Sequence, residues 1–233
     1  MRKYQLLSIV MVSVAVLIFG FTSAHAAMSI DYMLGDVPGQ MGQVVYNPGP
    51  GSDSLLHGIN IPINYVTSTE TPLNAKDNLA VTNGVLNFTT GDFSGKTGNV
   101  WTFNGGGTVT LTGGIPGLGL PDGTTLLTGT FTAANVTEYP LGQYSFKILG
   151  GAISGNDNLD VYSYYGIDLA SIPSIATSLS FIATDLTGNG FKSTNCITGT
   201  VVDSPSAVPI PTALGLLGSG LTCFVLLRRR LNI

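Results

Sequence analysis

The chain has 233 residues, of which 44% are hydrophobic and only 9% charged, with 31 glycines and a formal net charge of −4. Between residues 27 and 207 four lysines (Lys76, Lys96, Lys147 and Lys192) stand against all 13 acidic residues. That acidic excess excludes nucleic acid and anionic lipid as partners of this part, since both require basic patches. The length suffices for one domain with a real core.

The first stretch carries a charged pair, Arg2 and Lys3, then an uncharged apolar run of 16 residues from Leu6 to Phe21, then Ala24-His25-Ala26. This order reads as a signal peptide over residues 1–26, with Ala24 and Ala26 as the small residues that signal peptidase requires and cleavage before Ala27. An uncleaved anchor is the alternative.

Residues 27–203 show no sustained 3.6-residue period, so no long helix is expected there. Gly35–Asp53 is rich in Gly, Pro and Gln and reads as a loop. Ile59, Ile61, Ile63 and Tyr65 alternate with polar or small residues as a strand does, and Pro62 predicts an edge position or a bulge. Val85 to Thr89 is a second strand. Trp101 and Phe103, then Val109 and Leu111, flank Asn104-Gly105-Gly106-Gly107, which predicts a hairpin with a glycine turn. Leu126 to Thr132 follows the turn Pro121-Asp122-Gly123. Tyr144, Phe146 and Ile148 alternate. Leu159, Val161 and Ser163 read as one face of a strand, with Asp160, Tyr162 and Tyr164 on the other. Leu179–Ala183 and Gly199–Val202 complete the set. Eight to ten strands parted by Gly, Asn and Asp turns predict an all-β domain over 27–203, an antiparallel β-sandwich of jelly-roll type. Residues 204–207 form a short linker.

Candidates for chemistry are few. His57 is the sole histidine of residues 27–207, and its neighbours match no nucleophile elbow. Zinc needs more His or Cys than the chain offers, and Cys196 reads as a small structural thiol. Glu70 and Glu138 are the only glutamates, and a glycoside hydrolase would need two carboxyls paired across a cleft. No enzyme is expected. For cofactors the expectation is none, apart from calcium: Asp185, Thr187 and Asn189 place oxygens at relative positions 1, 3 and 5 with Gly190 at 6, but Cys196 stands at position 12 where a calcium loop has Glu. Asn156-Asp157-Asn158-Leu159-Asp160 is another oxygen-rich turn. Tyr162 and Tyr164 are candidate glycan contacts if their face is exposed; otherwise they belong to the core.

The last 26 residues, 208–233, carry Val208-Pro209-Ile210-Pro211, an uncharged apolar run from Thr212 to Leu227, and then Arg228, Arg229 and Arg230. As a helix, residues 212–227 would span about 24 Å, short against a hydrocarbon core of about 30 Å. The arginines stay cytoplasmic by the positive-inside rule, which puts the preceding domain outside. A plain C-terminal anchor and a processed signal both fit these features. Val-Pro-x-Pro, the Gly/Leu-rich segment around Leu217-Gly218-Ser219-Gly220-Leu221 and the terminal arginines together resemble the PEP-CTERM sorting signal of Gram-negative bacteria, with Ile210 where Glu is usual. The resemblance covers the tail alone. It implies recognition and cleavage near Pro209–Pro211 by an exosortase, transient anchoring in the membrane, and export in a bacterium that makes exopolysaccharide. The expected function is then a non-enzymatic surface or matrix protein, with a carbohydrate-binding module or, further off, a glycan hydrolase as alternatives.

Overall fold

The computed structural model describes residues 28–35, 42–48, 54–141, 144–168 and 174–204. Ala24, Ala26, Ala27, the linker beyond Ser204, Val208 to Pro211, the apolar run 212–227 and Arg228 to Arg230 lie outside them. Among the described residues no helix is long and apolar enough to cross a membrane.

The described residues form β1 (Ser29–Gly35), β2 (Gln43–Tyr46), β3 (Leu56–Thr69), β4 (Leu79–Thr89), β5 (Phe93–Thr97), β6 (Val100–Phe103), β7 (Gly106–Gly114), β8 (Thr125–Leu141), β9 (Tyr144–Asp157), α1 (Leu159–Tyr165), β10 (Ser174–Asp185) and β11 (Phe191–Ser204). The domain is all-β and antiparallel, as the alternation predicts. The pairings join every strand into one sheet, and its path closes: β8-β7-β4-β3-β1-β11-β10-β9 returns to β8 through the long β8–β9 ladder. Closure removes most unpaired edges, and a circuit of eight strands is just wide enough for side chains to fill. Ile30, Leu56, Ile61, Leu111, Leu127, Val136, Leu149 and Phe181 fill it, each essentially inaccessible.

Three local readings are corrected by this closure. First, β6 and β7 do not pair with each other. Both run antiparallel to β8, Phe103 opposite Ala134 and Gly106 opposite Phe131, so they follow one another along a single edge. The reversal lies earlier, at Gly98-Asn99, where Thr97 faces Val100. The glycines after Asn104 serve close packing instead. Gly107 adopts φ +71°, and a Cβ there would collide with the Thr89 carbonyl. The Gly91 N–H donates to the Asn104 carbonyl at 3.2 Å, and the Asn104 N–H to the Asp92 carbonyl at 2.9 Å, which bends β4 into β5 alongside β6 and β7.

Second, of the two readings of Pro62, an edge or a bulge, the bulge holds and the edge does not. β3 pairs with β1, β2 and β4. Pro62 is accommodated by register shifts between Gly58 and Ile61 and between Ile63 and Tyr65, with Asn60 at φ +50°. The shifts break the strict alternation: Ile61 and Ile63 are buried while Ile59 is 43% exposed. Part of the expected loop Gly35–Asp53 is also strand, because β2 fills the gap between β3 and β11 beyond the end of β1.

Third, residues 159–165 are a helix. Asn158 caps it, its side chain accepting from the Asp160 N–H at 2.9 Å, and Gly166 closes it in the left-handed region at φ +72°. Val161, Tyr162 and Tyr165 share its buried side, the spacing of a helical face rather than of a strand. The Leu73 N–H donates to the Tyr165 carbonyl, and the Asn158 N–H to the Leu126 carbonyl, so α1 packs beside the β3–β4 connection and the start of β8.

Candidate functional site

Two clusters of buried polar groups interrupt the apolar interior. The first is built on Trp101 of β6, 1% exposed. Its indole N–H donates to the Asn189 carbonyl at 2.8 Å, tying β6 to the β10–β11 connection. The Phe191 ring meets it edge-on at 5.4 Å between centroids. Into this aromatic corner β9 sends Lys147, whose side chain is fully buried. Its Nζ lies 4.4 Å from the Trp101 centroid and 5.0 Å from that of Phe191. The same Nζ donates to Glu138 Oε1 on β8 at 2.8 Å and to Asp185 Oδ1 at the end of β10 at 3.3 Å. Glu138 is 13% exposed and Asp185 65%. A second ammonium, Lys96, stands 3.7 Å from the Trp101 centroid. A buried ammonium is tolerated because it is paired and hydrogen-bonded, and the ring quadrupoles add to that.

The second cluster lies where β9 and β11 end. Asp203 is 2% exposed, and both its carboxylate oxygens and Asp157 Oδ1 are sealed from solvent with no hydrogen-bond partner among the described residues. The two carboxyls are neighbours that shift one another's titration, and two buried carboxyls side by side favour holding a proton between them. Burial disfavours charge on both, and the charge of Asp157 adds to the effect on Asp203, so the pair titrates with apparent values pushed up to about 6 and about 8. The buried Tyr32 hydroxyl donates to the Leu126 carbonyl at 3.5 Å and is held well above its usual range, first by burial and then by Asp157, Asp203 and Tyr165. The Tyr162 hydroxyl is also buried, without a partner among the described residues.

The residues singled out from the sequence fall in and around these clusters in unexpected roles. Asp185 and Asn189, two of the three candidate calcium ligands, each have a partner within the protein. Asp185 turns an oxygen to the Lys147 ammonium, the Asn189 carbonyl is taken by the indole, and Gly188 and Asn189 carry positive φ in a 3-10 turn. A neighbouring ammonium repels a cation. Thr187 is in the same turn, and its side chain lies outside the described set. Among the described residues no three His, Cys, Asp or Glu are grouped as metal ligands. Tyr162 and Tyr164 share no strand face, because both are on α1. Tyr162 is 1% exposed, whereas the Tyr164 hydroxyl donates to Asp77 at 3.2 Å. Glu70 stands at φ +52° just past the end of β3, and Glu138 pairs with Lys147. His57 is on β3, opposite Thr89. On the outer surface, Asn135 and Thr137 of β8 and Gly150 to Ala152 of β9 line an open groove of about 420 Å³.

Sequence reasoning did not single out Lys147 or Asp203 as a site, and it placed Asp157 in an oxygen-rich turn rather than beside a second carboxyl. The one available signal was a lysine inside an otherwise apolar alternating strand, Tyr144 to Leu149. No family model, no curated protein and no solved structure matches this chain.

Proposed function

We propose that this chain is an exported, non-enzymatic surface or matrix protein, delivered by a signal peptide over residues 1–26 and sorted by an exosortase acting near Pro209–Pro211. The observation that carries the reading is the order of residues 208–233: Val-Pro-x-Pro, an uncharged apolar run, then Arg228 to Arg230. In this reading the apolar run is a helix over residues 212–227 that holds the chain in the inner membrane of a Gram-negative bacterium until the tail is removed. Signal peptidase and exosortase are its processing partners. The domain 27–203, read as a flattened, sandwich-like form of the closed sheet, is then left in the envelope or outside the cell. Its low charge and abundant Gly, Thr, Ser and Asn suit an extracellular β-protein. Comparing the mass of the native protein from cells with and without an exosortase tests the sorting step: a shortened chain is expected only where the exosortase is present.

A second reading, a carbohydrate-binding module on the same architecture, is favoured by one feature. The groove on β8 and β9 has a floor of Gly150, Gly151 and Ala152 beside the polar side chains of Asn135 and Thr137, a shape and chemistry suited to a sugar chain in exopolysaccharide.

A further inference from the structure

We propose that Lys147 and Asp185 become joined by an amide bond between their side chains, with Glu138 carrying the proton. The reaction needs three groups together: an amine, a carboxyl that accepts it, and a second carboxyl that moves a proton. All three meet at one atom. Lys147 Nζ is 3.3 Å from Asp185 Oδ1 and 2.8 Å from Glu138 Oε1. The ion pair keeps the amine beside the Asp185 carboxyl group, and an intramolecular amine so placed gains a very high effective concentration.

The two carboxyls are not equivalent. Glu138, 13% exposed, makes the shorter bond and faces Lys147 directly across the β8–β9 ladder, placed to take a proton from the ammonium. Asp185, 65% exposed, stands at the open end of β10. It is the acceptor, and water released there can leave. Trp101 and Phe191 cover the amine, keep its lone pair from solvent and fix its position.

The step balances. Glu138 takes a proton from the Lys147 ammonium. The freed Nζ adds to Asp185 Cγ and the C–N bond forms. One Cγ–O bond breaks as Glu138 and the nitrogen supply the protons that carry the oxygen away as water. Ammonium and carboxylate become a neutral amide plus one water, and Glu138 ends as it began. No oxidant, reductant or co-reactant is consumed. The product removes the charge of the buried Lys147 ammonium from the interior. The new N–H faces Glu138.

Trypsin and mass spectrometry of the purified, folded full-length chain test this directly. Within residues 27–207 trypsin can cut only after Lys76, Lys96, Lys147 and Lys192. An acylated Lys147 resists cleavage, so one peptide spanning 97–192 is expected, lighter by one water than the linear, uncleaved 97–192 sequence and by two waters than the sum of 97–147 and 148–192. Fragmentation should place the link between Lys147 and Asp185. Lys147→Arg, which keeps a cation against the rings, should give the two separate peptides at full mass, and Glu138→Gln should leave the wild-type residues unlinked. Two separate full-mass peptides from folded wild-type protein would overturn the proposal. So would a link to any carboxyl other than Asp185, or full linkage in the Glu138→Gln variant.

Discussion

At the scale of single residues, the interior depends on groups whose neighbours come from distant parts of the chain. Trp101 is sealed in, bonded to Asn189 and flanked by two ammonium groups. Truncating it leaves a cavity and uncovers Lys147, so Trp101→Ala should lower stability by roughly 3–5 kcal/mol, a large part of a typical total of about 5–15 kcal/mol. Thermal melts check this, and an unchanged melting temperature would put the indole outside the core. The Asp157–Asp203 pair predicts the sign of the pH dependence. Both carboxyls titrate higher folded than the ordinary value of 3.8, so their burial costs nothing below that value. The cost grows as pH rises through about 6 and about 8, and is complete above. Asp31, also raised by burial, adds in the same direction. The melting temperature should therefore fall between pH 4 and pH 8, by about 2–4 °C for each kcal/mol lost. Asp203→Asn should flatten that slope, and a wild-type melting temperature that rises over this range would contradict the shared-proton pair.

At the scale of elements, α1 shows what the sequence offered and what it withheld. The spacing of Tyr162 and Tyr164 read as a strand, whereas Asn158 and Gly166 cap the segment as a helix. A seven-residue helix is too short to announce itself by periodicity, and tertiary packing of Val161, Tyr162 and Tyr165 holds it. Asn158→Ala should cost about 1 kcal/mol through the lost cap, measurable as a lowered melting temperature with the rest of the sheet retained. Segments of β8, β10 and β11 were legible as short apolar runs, although the strands extend well beyond them. Pairing was not. Asn104 to Gly107 resembles a hairpin turn locally, but β8 is long enough to hold both β6 and β7 on one edge, and only the distant ladder decides this. Lys147 was hidden for the same reason. Tyr144, Phe146 and Ile148 carry the alternation that marks β9 in the sequence, Lys147 and Leu149 are buried, and the carboxyls that make Lys147 tolerable arrive from β8 and β10.

At the scale of the whole molecule, the closed sheet and the flanking sequences address different questions. Among the described residues, the sheet accounts for how a chain with so few charges folds with most of its strand edges paired. The flanking sequences carry the proposed destination, through the charged, apolar and small-residue order at residues 2–26 and the Val-Pro-x-Pro, apolar and arginine order at 208–230. The measurement that bears most directly on that proposal is the intact mass of the native protein from its own cells. A mature chain starting at Ala27 and ending near Pro209–Pro211, without Arg228 to Ile233, is the expected result. A native mass that retains those arginines would contradict exosortase processing and leave the tail a permanent anchor.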